Sequence, residues 1–282
     1  MTPPATTVRV PSGDLQLVGD VWHAPIEPRG SVVLLHGGGQ RRHSWRRTGA
    51  RLAASGWSSY AFDARGHGES SWAPDSDYSV NALIRDLKAI TEGLDDPPVL
   101  VGASMGGITA LIGEGEQPGL ARGLVLVDVV ARLEPAGVDR IQAFMSGAPN
   151  GFATLEEASD AIAAYNPHRP RPKSLEGLRK NLRQADDGRW YWHWDPSFLR
   201  IRNEPARDSQ YERARDAASR IGVPTMLVRG AESDIVSREG IQEMLELIPD
   251  SRAVEVLSTG HMVAGDDNDV FTSELEGFLA AL

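Results

Sequence analysis

Ser104, Asp234 and His261, in that chain order, are residue types that could together perform nucleophilic chemistry on a carbonyl. A serine hydroxyl is a poor nucleophile at neutral pH. It needs a neighbouring base to take its proton, and the base needs a carboxylate to fix its tautomer and stabilise its charged form. Ser104 stands in VLVGASMGGITAL between Gly102 and Gly106, with Ala103 and Gly107 beside them. Neighbours this small suit a sharp strand-to-helix corner, across which bulky side chains two positions away would collide. Glycine and serine also gather in ordinary turns, so the flanks decide. Here the apolar run Pro98 to Val101 precedes the serine, and the helix-compatible Ile108 to Glu116 follows it. His261 sits in STGHMVAG just past the last predicted strand, and Asp234 in RGAESDIVS just past a strand over Val223 to Arg229.

These residues need a scaffold that delivers strand ends to one edge, and the chain spells one. Thr7 to Val10 and Leu15 to Trp22, joined by PSGD, read as an antiparallel hairpin. Ser31 to His36, Trp57 to Asp63, Pro98 to Ala103 and Gly123 to Val129 are nearly continuous apolar runs, as expected of strands buried on both faces. Candidate helices lie between them near Ser44 to Ser55, Ser79 to Gly93 and Met105 to Glu116. The alternation predicts a mostly parallel, eight-stranded α/β sheet with helices on both faces and right-handed crossovers. After Val130 the rhythm breaks. Residues 131–220 hold few strand-like runs, the proline-rich NPHRPRPKS and the aromatic WYWHWD, and are expected to form a mostly helical lid inserted after the sixth strand. The core is thus expected over 1–130 and again over 221–282, with a strand at Val223 to Arg229, a helix at Ser237 to Leu247, a strand at Arg252 to Leu257 and a final amphipathic helix.

The 282 residues are enough for a sizeable core, and a net charge of -10 argues against nucleic acid or an anionic membrane surface as the partner. The stretch MTPPATTVRVPSGD lacks a basic segment followed by an apolar one, and no apolar run approaches the roughly 20 residues that span a bilayer. A cytoplasmic location is the expectation. With no cysteine, disulfides, thiolate metal sites and a cysteine nucleophile are all excluded. The histidines form no HExxH-like pair, so no metal site is expected, and nucleophilic chemistry by a serine needs no cofactor.

Taken together, LLHGGGQRRHSW, AFDARGHGES, VLVGASMGG, RGAESD and GHMV, in this order and spacing, resemble the α/β-hydrolase superfamily over essentially the full chain. The resemblance implies that Ser104 is the nucleophile, His261 the base and then the acid, and Asp234 the orienting carboxylate. It also implies an oxyanion hole built from the backbone N–H groups of Gly38 and Met105. In the family the acid commonly stands three residues after the glycine that ends the strand, where this chain has Ser233; Asp234 is offset by one. Asp128, at the end of the preceding strand in LVLVDVV, is the alternative acid. Trp45, Trp190, Trp192 and Trp194 are candidate walls for a small-molecule substrate, although alternate residues of WYWHWD must face opposite ways and some of them pack the insertion instead.

The implied activity is hydrolysis of a small, fairly hydrophobic carboxylic ester or lactone through an acyl-enzyme. Serine at position 104 argues against epoxide hydrolase and haloalkane dehalogenase chemistry, which needs an aspartate at the elbow. SMGG and the triple glycine also resemble cofactor-free perhydrolases (haloperoxidases) and the C–C bond hydrolases of aromatic degradation, and these stand as alternatives. The latter commonly carry tryptophan after the catalytic histidine, where this chain has Met262. A non-catalytic ligand receptor on the same fold is the alternative of another class.

Overall fold

The computed structural model describes residues 4–25, 27–165, 175–200, 207–257 and 269–282. His261 and the whole proline-rich stretch fall outside them. Within these bounds the strands are β1 (Thr6–Ser12), β2 (Leu15–Trp22), β3 (Ser31–Leu35), β4 (Ser58–Phe62), β5 (Val99–Ala103), β6 (Gly123–Val127), β7 (Leu182–Gln184), β8 (Trp190–Trp192), β9 (Thr225–Gly230) and β10 (Ser251–Val256). The α-helices are α1 (Arg46–Ala54), α2 (Val80–Thr91), α3 (Met105–Glu116), α4 (Pro135–Ser146), α5 (Leu155–Tyr165), α6 (Arg207–Ala218), α7 (Arg238–Leu247) and α8 (Asp269–Ala280).

Eight strands make one sheet in the order β1-β2-β4-β3-β5-β6-β9-β10. β2 runs antiparallel to both β1 and β4, and every other pairing is parallel. The central strands are apolar on both sides because both sides are covered. Leu100, Leu124, Leu126 and Leu227 face a core shared with α2, α3, α6 and α7, while Val99, Val101, Val125, Val127 and Val228 face the core under α1 and α8. Each such side chain contributes about 1.5–3 kcal/mol by leaving water. Ser79 caps α2 by accepting from Ala82 N–H, and Ser237 caps α7 by accepting from Gly240 N–H. Among the described residues no helix is long and apolar enough to cross a membrane.

The apolar runs overestimate strand length at the carboxyl edge. β3 stops at Leu35 rather than His36, and β6 stops at Val127 because Asp128 takes φ 48°. Those lost residues are the ones released from the ladder into loops. Between β6 and β9 the chain forms α4, α5, a β7–β8 ribbon, a 3₁₀ turn at Pro196–Leu199 and α6. The aromatic stretch is a short antiparallel strand, its Trp190 bridging Phe152. α6 lies against α3, where a Cβ on Gly115 would sit 2.3 Å from the Ala217 carbonyl oxygen.

Candidate active site

β5 ends at Ala103 and α3 begins at Met105, leaving Ser104 alone at the junction with φ 46° and ψ −111°. Such a conformation costs a non-glycine residue on the order of 1–3 kcal/mol and persists only when its surroundings over-determine it. Here they do. The Ser104 N–H donates to the Val127 carbonyl at 3.1 Å, and the Ser104 carbonyl accepts from Ile108 N–H at 2.9 Å. The glycines explain themselves by distance: a Cβ on Gly102 would lie 2.5 Å from the Gly106 carbonyl, and one on Gly106 would lie 2.5 Å from the Leu35 carbonyl oxygen.

The turn after β3 abuts this corner, since a Cβ on Gly37 would sit 3.5 Å from the Ser104 Cβ. Gly37 to Gln40 is a β-turn closed by Gln40 N–H donating to the Gly37 carbonyl at 3.0 Å, and Gly39 takes φ 76°, the left-handed third position of a type II turn. Three histidines ring it. His36 Nε2 accepts from Ala64 N–H at 2.9 Å, so its proton is on Nδ1, which faces the Gly37 carbonyl at 2.8 Å. His67 Nε2 accepts from Gly39 N–H at 3.1 Å, which places its proton on Nδ1 toward the Arg65 carbonyl at 3.1 Å. His193 Nδ1 accepts from Gly68 N–H at 2.9 Å, which leaves Nε2 to donate to the Gly39 carbonyl at 3.3 Å. Burial holds His36 below its ordinary value and, with help from the nearby Arg41 charge, pushes His193 down to about 3. Both rings are therefore neutral at neutral pH.

Beneath this turn Arg42 is buried among Asp20, Asp63 and Glu69. Asp63 is desolvated, but the Arg42 charge and the backbone N–H donors of Glu69 and Arg42 hold its carboxyl below the usual carboxylate range.

The two candidate acids sit differently. Ala103 of β5 pairs with Val127 of β6, so Ser104 and Asp128 are the first residues past the ends of neighbouring strands, and both have positive φ. Asp128 is 1% exposed. Its Oδ1 accepts from Gly230 N–H at 3.1 Å and its Oδ2 from the Ser233 hydroxyl at 2.7 Å. Asp234 lies in the loop after β9 and makes an ion pair with Arg140 of α4 at 2.9 Å, its side chain one-third exposed. A Cβ on Gly137 would sit 2.4 Å from the Asp234 carbonyl oxygen, so α4 rests directly on that loop.

Of the four candidate tryptophans, Trp194 comes nearest to the turn: its ring and the Met145 methyl would lie 3.3 and 3.1 Å from a Cβ on Gly39. Trp192 stacks on Trp194 at 4.9 Å and meets Phe152 edge-on at 5.2 Å. Trp190 is half-buried with Arg179 over its ring at 5.4 Å. Trp45 is elsewhere, buried against Phe271 in the core under α1 and α8. Met105 opens α3 and packs against the Met145 and Trp194 cluster. A cavity of about 30 Å³ behind Met105, lined by Leu17, Leu35, His36, Phe62 and Thr109, has room for one or two waters and none for a substrate. The sequence alone assigns no role of their own to His193, Met145 or Ser233. His193 was hidden by its neighbours, since within WYWHWD it reads as one more ring in an aromatic run.

Residues 32–274 match the model of the alpha/beta hydrolase family. An esterase of Mycobacterium tuberculosis is 28% identical over 88% of this chain and 82% of its own length. The 3-hydroxybutyrate-oligomer hydrolase of Cupriavidus necator is 30% identical over 89% of this chain and 88% of its own. Among solved structures, an alpha/beta hydrolase from Novosphingobium aromaticivorans superposes with a TM-score of 0.82 at 22% identity, covering 100% of both chains.

Proposed function

The chain belongs to the alpha/beta hydrolase family and is a hydrolase acting on esters, and from that premise we propose that it cleaves a small, fairly hydrophobic carboxylic ester or lactone through an acyl-enzyme on Ser104. One observation carries the reading: Ser104 holds a costly left-handed conformation at the end of β5, packed so closely by Gly102 and Gly106 that only this corner explains the sequence around it. Strain kept at a serine that caps nothing is strain kept for chemistry; its side chain accepts no cap hydrogen bond from α3.

In this reading the Ser104 hydroxyl attacks the ester carbonyl carbon while His261 takes its proton. Charge builds on the carbonyl oxygen and is received by the Gly38 and Met105 N–H groups, donors aimed before the reaction begins. The tetrahedral species collapses, His261 returns the proton to the departing alcohol, and the acyl group stays on Ser104. Water, deprotonated by His261, then attacks the acyl carbon and releases the acid. We assign the orienting carboxylate to Asp128. It is buried beside the elbow, and its two oxygens are fixed by Gly230 and Ser233, whereas the carboxylate of Asp234 is engaged by Arg140 at 2.9 Å. Ser233 stands where the resemblance implies an acid and hydrogen-bonds to Asp128 instead. Met145, Trp194 and Met105 supply an apolar surface beside the turn, which suits an apolar acyl or alcohol group. The names of the two relatives support an ester as the scissile group.

The test is hydrolysis of p-nitrophenyl butyrate and of a 3-hydroxybutyrate dimer by the wild type and by Ser104→Ala. The reading expects turnover of at least the first by the wild type and a loss of several orders of magnitude in the variant. Equal rates for the two proteins contradict it.

A further inference from the structure

The turn that would receive the oxyanion contains three consecutive glycines, the residue type with most backbone freedom to lose. Within the turn Gln40 closes it, its N–H donating to the Gly37 carbonyl and its side-chain oxygen accepting from Gly37 N–H at 2.9 Å, and beyond that each of its peptide units is held by one histidine. The Gly37–Gly38 unit is gripped through its carbonyl by His36, the Gly38–Gly39 unit through its N–H by His67, and the Gly39–Gln40 unit through its carbonyl by His193. His36 and His67 come from loops at the ends of β3 and β4. His193 comes from the segment after β8, more than 150 residues away along the chain.

That segment is docked by more than one bond. The Asp195 N–H donates to the Gly66 carbonyl at 2.8 Å, the Tyr78 hydroxyl donates to Asp195 Oδ2 at 2.5 Å, and Phe198 meets the His67 ring edge-on at 4.8 Å. His193 is therefore held rigidly on one side by Gly68 and presents Nε2–H to Gly39 on the other, with Trp194 and Met145 closing the space above. We propose that His193 is a positioning residue for the oxyanion hole: its Nε2–H fixes the Gly39 peptide, so the Gly38 donor keeps its aim only while the Trp190–Leu199 segment is docked. The proposal rests on the acyl-enzyme reading for its kinetic consequence and on geometry alone for the clasp. A neutral imidazole suits the task, because a protonated ring would confront the Gly68 N–H with a second donor; burial keeps the ring neutral.

Two amide substitutions separate the two bonds. His193→Gln can place an N–H near the Nε2 position and keep the bond to Gly39, while His193→Asn can keep an acceptor near the Nδ1 position for Gly68 and loses Gly39. His193→Phe keeps the ring and loses both. With p-nitrophenyl butyrate, kcat is expected to fall about 10- to 100-fold in His193→Phe and His193→Asn, short of or reaching the loss of a whole oxyanion donor. KM is expected to change less than about 3-fold and His193→Gln to recover most of kcat. A general structural role would treat the two amides alike. Hydrogen–deuterium exchange of the peptide spanning residues 36–45 reads the clasp without any turnover, and it is expected to quicken in His193→Phe and His193→Asn and not in His193→Gln. If Asn and Gln behave alike in both measurements, or if exchange is unchanged in His193→Asn, the proposal is overturned. If the wild type shows no esterase activity while exchange follows the expected order, the clasp stands and the acyl-enzyme reading falls.

Discussion

The Ser233 hydroxyl donates to Asp128 Oδ2 at 2.7 Å, joining residues 105 positions apart at the carboxyl edge of the sheet. With Gly230 N–H on Oδ1, this bond fixes the plane of a carboxylate just past the end of β6, the strand beside the one that leads into Ser104. On the account given above, Asp128→Asn lowers kcat by about four orders of magnitude, the effect of stabilising the wrong tautomer of the base. Asp234→Asn removes a half-exposed ion pair worth about 1 kcal/mol or less and leaves kcat within severalfold. Steady-state kinetics of both variants decide between the two acids; a large loss in Asp234→Asn with little in Asp128→Asn restores Asp234 to the role.

The elbow glycines are steric requirements. A methyl at position 106 would meet the backbone carbonyl of Leu35 and a methyl at 102 the backbone of Gly106, and neither neighbour is a side chain that can swing away. Gly102→Ala and Gly106→Ala are each expected to cost about 1–3 kcal/mol or more. Urea unfolding midpoints measure this, and a loss below about 0.5 kcal/mol in both would show that the corner is looser than the distances imply.

His193 makes stability depend on pH in a defined direction. Its folded value of about 3 lies below the ordinary 6.5, so between these the unfolded chain binds the proton and the folded chain does not. The contribution is complete above pH 6.5 and is lost as pH falls toward 3, at up to roughly 1.4 kcal/mol per pH unit in the middle of that window. His36 is lowered too and adds the same sign. Thermal unfolding of the wild type is expected to drop more steeply from pH 7 to 5 than that of His193→Gln; parallel slopes would contradict a neutral, buried ring.

Arg42 is buried with Asp63 and Asp20 as partners. Arg42→Met strands those carboxylates and is expected to cost about 3–5 kcal/mol. Adding Asp63→Asn should return part of it, since the second change removes the uncompensated charge. Additive losses in chemical denaturation would show that the two side chains are not coupled.

Much of the fold was legible because its signals are local. β-branched runs mark the buried strands, and small residues on both sides of Ser104 mark the elbow, whose reason is the contact between Gly102 and Gly106 four residues apart. What the chain does not spell is which distant groups meet. Asp128 and Asp234 both follow a strand, and tertiary contacts distinguish them: Asp128 is buried with bonds from Gly230 and Ser233, and Asp234 is partly exposed and paired with Arg140. Trp45 and Trp194 are equally aromatic on paper, yet one fills the core against Phe271 and the other covers Gly39. His193 gains its role from Gly39 and Gly68, neither near it in sequence. His261 lies outside the described residues, and its role rests on the family resemblance and on the tests above.

Acid quenching during turnover of p-nitrophenyl butyrate, followed by peptide mass spectrometry, tests the acyl-enzyme most directly. A butyryl group is expected on the peptide containing Ser104, accumulating when deacylation is slow, and no acylated peptide is expected in Ser104→Ala. A butyryl group on another residue, or turnover by Ser104→Ala at the wild-type rate, would contradict an acyl-enzyme on Ser104.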